Sequence, residues 1–256
     1  MLPSVFVSHG APTLLMESGA TPGFLRGLGA TLGRPRAVVC ISAHWETAEP
    51  RLTAAEHLPT IHDFYGFPEA LYRERYPAPG DPLLAERAAT LLRVAGHAAE
   101  LDETRGLDHG AWVPLKLMYP QADVPVVQLS LQTERGPHHH RDVGRALQPL
   151  REEGVLILGS GGATHNLREF RGQAIDTAPP AYVRGFDEWL ADAVGHGRVD
   201  ELLDYERAPN ARRNHPTAEH FLPLLVAMGA AHDARGRQLQ HAFSYGVLSM
   251  AAYAWD

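Results

Sequence analysis

The sequence predicts a single α/β domain over residues 1–256, with a mixed, mostly parallel central sheet and helices on both faces. Three observations carry this. Short β-branched runs, apolar on both sides, recur along the chain. Helical patterns lie between them, and no low-complexity linker or internal repeat divides the sequence. Strands covered on both faces read as continuous apolar runs, and strands that alternate with helices build parallel sheets.

The first strand is Ser4–Ser8, Ser-Val-Phe-Val-Ser. The second is Ala37–Ser42, the third Val124–Leu131 and the fourth Gly154–Leu158. Helical periodicity places Leu84, Ala88, Leu91 and Leu92 on one face of Leu83–Val94. Val143–Arg151 follows the third strand, and Tyr182–Val194 and Thr217–Met228 follow the fourth. A last strand is expected over Phe243–Met250. The stretch 46–82 is a long loop rich in proline and aromatic residues. Loops of that length inside a compact domain are uncommon and often functional.

Composition narrows the function classes. Thirty acids against 23 bases give a net charge of −7, which argues against nucleic acid or an anionic membrane as a generic partner. Cys40 is the only cysteine, so no disulfide framework exists, and its place in mid-strand reads as a buried small hydrophobe. No apolar run reaches the roughly 18 residues of a membrane span, and no signal peptide opens the chain, so the expected address is cytoplasmic. The bases are 22 arginines and Lys116, which leaves one candidate for Schiff-base chemistry and no phosphate-binding Gly-Lys-Ser/Thr loop. Fifteen histidines turn attention to metal binding and proton transfer.

Two strands end alike. The first runs into His9-Gly10 and the second into His44-Trp45, 35 residues later, about the length of one strand–helix–strand crossover. In a parallel sheet both histidines reach the carboxyl edge, where α/β proteins place ligands. They either share a site there or are merely polar residues leaving strands. The fourth strand ends in Gly159-Ser160-Gly161-Gly162-Ala163-Thr164-His165. Its glycines fit no dinucleotide fingerprint, and Ser160 lacks a nucleophile elbow. The glycine turn lets other groups approach closely and brings His165 to the same edge. His215-Pro216-Thr217-Ala218-Glu219-His220 is expected to open a helix, with Pro216 in its first turn. His109, after Asp108, sits before another expected helix. His138, His139 and His140 are consecutive and cannot all face one ion; they read as solvated surface or a helix start.

Seven motifs run in order: Ser8-His9-Gly10-Ala11-Pro12, Ser42-Ala43-His44-Trp45, Thr60-Ile61-His62-Asp63-Phe64-Tyr65-Gly66-Phe67-Pro68, Tyr76-Pro77-Ala78-Pro79-Gly80, Asp108-His109-Gly110, His165-Asn166-Leu167 and His215-Pro216-Thr217-Ala218-Glu219-His220. In this set, and over nearly the whole chain, the sequence resembles the DODA-type extradiol aromatic ring-opening dioxygenases of the class III, LigB-like group. The resemblance implies a LigB-like fold and metal ligands at His9, His44 and His220. It places His165 beside the metal, either as a fourth ligand or as the acid–base residue. His109 matches a histidine expected to contact substrate, and the loop carrying His62 and Tyr65 is expected to cover the aromatic ring. The sequence departs from the two-histidine, one-carboxylate pattern of many non-haem iron oxygenases, because His220 holds the third position and Glu219 only adjoins it. Fe(II) is then the metal expected for turnover, while Zn(II), which has no redox chemistry, fits the all-histidine set. The implied reaction opens a DOPA-like catechol with O2 to a muconic semialdehyde-type product. Catechol and O2 are the expected partners, without nucleic acid or membrane, and no oligomeric state is assigned. A zinc hydrolase or a non-catalytic interaction protein on the same scaffold are the alternatives.

Overall fold

The computed structural model describes residues 1–256. Its strands are β1 (Ser4–Ser8), β2 (Ala37–Glu46), β3 (Arg51–Thr53), β4 (Glu100–Asp102), β5 (Val126–Leu131), β6 (Val155–Gly161), β7 (Gly236–Gln240), β8 (Phe243–Ser244), β9 (Leu248–Ser249) and β10 (Ala252–Trp255). Eight of them form one sheet in the order β4-β3-β5-β2-β6-β1-β10-β7. The four central strands, β5, β2, β6 and β1, are parallel. Antiparallel pairings join β3 to β5 on one side, and β10 to β1 and β7 on the other. The predicted mixed, mostly parallel sheet is therefore present.

Its two faces are covered as the two-sided apolar runs require. The principal helices are α1 (Ala20–Leu32), α2 (Pro82–Val94), α3 (His109–Met118), α4 (Gly136–Leu147), α5 (Ala181–Gly195) and α6 (Leu222–Gly229). Val39, Ile41, Val155 and Ile157 pack with Leu84 of α2, Val143 of α4, Phe186 of α5 and Leu225 of α6. Their neighbours Val38, Cys40, Leu156 and Leu158 point the other way, toward Leu25 of α1 and Trp112 of α3. Successive residues face opposite sides of a strand, so one run builds two cores. Cys40 is buried in the second of them.

Several expectations are corrected. Phe243–Met250 is not one strand. Tyr245 and Gly246 both take positive φ, and the segment folds into the separate β8–β9 hairpin. The sheet edge is completed instead by β10 and by the polar β7, whose exposed residues hide it from a hydrophobicity reading. The helix expected over Thr217–Met228 begins only at Leu222, with Pro223 rather than Pro216 in its first turn. α1 was hidden by its glycines, which lower helix propensity. The long loop contains β3 and a short helix, Glu69–Arg73.

His138–His140 lie in the first turns of α4. His140 is buried, its Nδ1 donating to Gly136 O at 2.7 Å and its Nε2 accepting from Gln132 N at 3.2 Å. Burial lowers its pKa to about 4. Burial does the same to His215, also to about 4. Above pH 6.5 neither the folded nor the unfolded chain protonates these rings. Below it the unfolded chain gains protons that the folded chain refuses until about pH 4, so stability falls as pH falls. Roughly 2 kcal/mol should be lost per histidine by pH 5. Urea unfolding of the metal-free protein from pH 7 to 5, compared with His140→Gln and His215→Gln, isolates these contributions from those of the other buried histidines; variants with the wild-type slope would contradict it.

Candidate active site

Four elements deliver histidines to one point at the carboxyl edge of the central strands. His9 follows β1 and His44 lies near the end of β2. β6 separates those strands and pairs with both. Its end carries Gly159 and Gly161, and a Cβ on Gly161 would strike the carbonyl of His220. That close approach lets the turn before α6 sit on the sheet, with Gly162 N donating to His220 O at 2.9 Å. The glycine-rich strand end thus serves His220 as well as His165.

The ligand-capable nitrogens of His9, His44 and His220 all lie within 4.8 Å of one another, and the Nε2 atoms of His9 and His44 are 3.0 Å apart. Two of the three opposite nitrogens are tied back. Pro114, inside α3, has no N–H to offer the carbonyl of Gly110, and Ser160 Oγ donates to that carbonyl instead. Ser160 therefore accepts from His9 Nδ1, 3.0 Å away, which leaves the His9 Nε2 lone pair free. His220 Nδ1 donates to Glu219 Oε1 at 2.9 Å, and its Nε2 is buried without a hydrogen-bond partner. His44 Nδ1 faces Asp63 Oδ2 at 3.9 Å. An unpartnered buried nitrogen and two facing Nε2 atoms are what a bound divalent cation would satisfy, and nitrogens oriented from behind are typical of metal-ligating histidines.

Electrostatics agree with the geometry. Burial, reinforced by the neighbouring histidines, holds His9 and His220 well below the usual imidazole range. Burial and His109 lower His44 to about 3, against the opposing pull of Asp63. These rings are neutral donors at neutral pH. Burial likewise brings His165 down to about 4. Burial pushes Asp63 up, but the hydrogen bonds and charge of His109 outweigh it and hold the carboxyl at about 2.

The remaining predicted residues are also here, with one exception. The His165 ring stacks on His220 with centroids 3.3 Å apart and planes 8° from parallel, and its backbone N donates to Asn214 O at 2.9 Å. It stands outside the trio of His9, His44 and His220. His109 is the first residue of α3, with Asp108 as the N-cap. Asp63 accepts from the His109 backbone N at 2.9 Å, and its Oδ2 lies 3.0 Å from His109 Nδ1. Both histidines and Tyr65 line a cavity of about 380 Å³ together with the trio, Phe64 and Phe67. A hollow of about 440 Å³ beside Met16 and Phe243 gathers no histidine. His62 is the exception. Its Nε2 donates to Glu74 O at 3.0 Å and its ring packs against Phe64, Tyr72 and Trp112. It therefore supports the wall from behind Phe64 and does not form it.

Sequence reasoning passed over the supports. Asp108 is fully buried and accepts from Ser42 Oγ at 2.6 Å and from Gln128 Nε2. Ser42 Oγ in turn accepts from His44 N at 3.2 Å. The signals were present: an aspartate before a helix is an N-cap, and a proline four residues after Gly110 frees a carbonyl. Gly110 is itself a constraint, because a Cβ there would meet Ser42 Oγ and lie 2.8 Å from His44 Cδ2. Gly110→Ala should therefore displace His44 and cost roughly 10²-fold in turnover, with weaker metal binding. Steady-state kinetics alongside metal titration will check this, and wild-type values for both would refute the packing argument.

The family described as the catalytic LigB subunit of aromatic ring-opening dioxygenase matches residues 5–255. The 4,5-DOPA dioxygenase extradiol of Beta vulgaris is 44% identical over 254 residues, covering 97% of this chain and 94% of the relative. The protein of that name from Portulaca grandiflora is 42% identical, covering 98% and 94%. That of Escherichia coli (strain K12) is 42% identical, covering 90% and 85%. A crystal structure of an uncharacterized protein from Escherichia coli K12 superposes with a TM-score of 0.85 at 35% identity, covering all of both chains. A match over the whole sheet, with every histidine of the cavity inside it, makes this chain a ring-cleavage dioxygenase of the LigB family.

Proposed function

We propose that the whole chain, 1–256, is one catalytic domain that opens the ring of a catechol of the DOPA kind with O2, with Fe(II) held by His9, His44 and His220. The observation that carries this is the trio of neutral imidazoles, of which His9 and His220 are buried and have their second nitrogens hydrogen-bonded to Ser160 and Glu219. Fe(II) supplies redox chemistry and open coordination positions, which Zn(II) supplies only in part. The carbon–carbon bond beside the two hydroxyl carbons breaks, and both oxygen atoms enter a muconic semialdehyde-type product.

The protein's own groups bind, orient and move protons. His165 stands beside His220 and outside the trio, in a second close group with Glu219 and His220, a position suited to acid–base work. Its neutral imidazole takes a proton from one ring hydroxyl and returns it later in the cycle. Asp63 accepts from the His109 backbone N and faces its Nδ1, which leaves His109 Nε2 as the nitrogen to meet the substrate's oxygen atoms. Phe64, Tyr65 and Phe67 bound the cavity, cover the ring and exclude water.

The test is oxygen uptake by protein reconstituted anaerobically with Fe(II) and given L-DOPA or simple catechols. Uptake with a yellow product is expected. No uptake from protein shown to hold iron would overturn the reading.

A further inference from the structure

His215 opens the motif that ends in His220, and the proton-transfer scheme gives it no part. Its ring is 5% exposed and sits among Phe186, Tyr205 and Phe221. Its Nε2 donates to the Ala163 carbonyl at 2.9 Å. A carbonyl only accepts, so Nε2 carries the proton and Nδ1 the lone pair. Nδ1 is buried without a hydrogen-bond partner. An unpaired nitrogen in an aromatic core is costly, and a phenyl ring would fill the same space without it. What the imidazole adds is the bond to Ala163.

That bond is one rung of a seam. The backbone N of His165 donates to Asn214 O at 2.9 Å, and Asn166 Nδ2 donates to Arg213 O at 2.5 Å. The stretch 163–166 carries His165, and the stretch 213–215 leads into the turn that ends at His220. The two run antiparallel along these three bonds. Elsewhere the His165 turn is tied to other parts of the fold, Ala163 N to Ser8 Oγ and Thr164 Oγ1 to Val247 O, each at 3.0 Å. Only the seam ties it to the stretch that bears His220, on whose ring His165 stacks.

We propose that His215 is a positioning residue: through the Ala163 carbonyl, its Nε2–H sets the His165 ring against His220 and so the reach of His165 to the substrate hydroxyl. The inference rests on the acid–base reading of His165.

Two substitutions separate the hydrogen bond from the packing. His215→Phe keeps an aromatic ring and removes the donor. His215→Gln restores an N–H near the position of Nε2. In the Fe(II)-loaded protein, His215→Phe should lower kcat roughly tenfold or more with KM within about threefold of wild type, and His215→Gln should recover most of the loss. Metal content should stay at one ion per chain in both. Asn166→Asp breaks another rung but keeps the acceptor for Arg168 N, and should repeat the phenylalanine profile; it carries the test alone if His215→Phe does not fold. The second readout is the nuclear Overhauser contact between the ring protons of His165 and His220 in zinc-loaded, histidine-labelled protein. It should be present in wild type and His215→Gln and weakened in His215→Phe and Asn166→Asp. Wild-type kcat in the donor-less variants, equal losses in His215→Phe and His215→Gln, or a ring contact that persists in the donor-less variants would overturn the proposal. If iron-loaded wild type consumed no catechol, the dioxygenase reading would fall, and the ring contact alone would decide the positioning.

Discussion

Exchanging His165 for glutamine should lower kcat by roughly 10²- to 10³-fold while the protein keeps one metal ion per chain. Glutamine retains hydrogen-bonding atoms and similar bulk but cannot accept a proton near neutral pH. The His165 backbone is fixed independently of its ring by Asn214 O, so the substitution leaves the turn in place. The ring is absent from the mutually close trio, so metal content should hold. Oxygen-uptake kinetics paired with elemental analysis separate the two effects. Turnover within tenfold of wild type would move the proton-transfer role to His109. Loss of metal would make His165 a ligand.

His220→Ala should have the opposite profile, with metal binding and turnover lost together. His220 Nε2 is the buried nitrogen of the trio without a partner, and nothing else at its position can donate a lone pair. A graded version tests the orienting contact. Glu219→Gln keeps an acceptor for His220 Nδ1 but removes the charge that strengthens the bond, and should weaken metal affinity by about 10- to 100-fold. Competition with a chromophoric chelator measures both variants. Wild-type affinity in His220→Ala would mean that the cation sits elsewhere.

The central sheet was legible because its strands are apolar on both faces, a pattern that does not depend on neighbours. β7 and α1 were not, because an exposed edge strand such as Gly236–Gln240 and a glycine-rich helix such as Ala20–Leu32 owe their structure to what they pack beside. The same division holds at the site. His9 and His44 could be placed from their shared position after apolar runs. The local role of His220 was misjudged, since Pro216 looked like a helix start and the true start needs Pro223 and the contact with β6. His62 shares a motif with Asp63 and Tyr65, yet its side chain faces Glu74 and the aromatic cluster. Motif membership does not report which way a side chain turns. Asp63, Ser160 and Asp108 act through hydrogen bonds between residues 20 to 151 positions apart, a kind of relation that spacing along the chain cannot show.

The position of β1 has a consequence for the order in which the protein becomes active. It precedes every other strand of the sheet in the chain, yet it lies between β6 and β10, so one neighbour is made about 150 residues later and the other about 250. Pairings that distant are slow to form. Until β10 has been synthesised, β1 carries His9 along an open edge, and an open edge invites pairing with other chains. Assembly of a competent metal centre is thereby tied to completion of the sheet, and a nascent chain exposes an aggregation-prone strand before it offers a complete set of metal ligands. Shortening the chain within Ala252–Trp255 should accordingly appear first as insolubility, ahead of any change in catalysis.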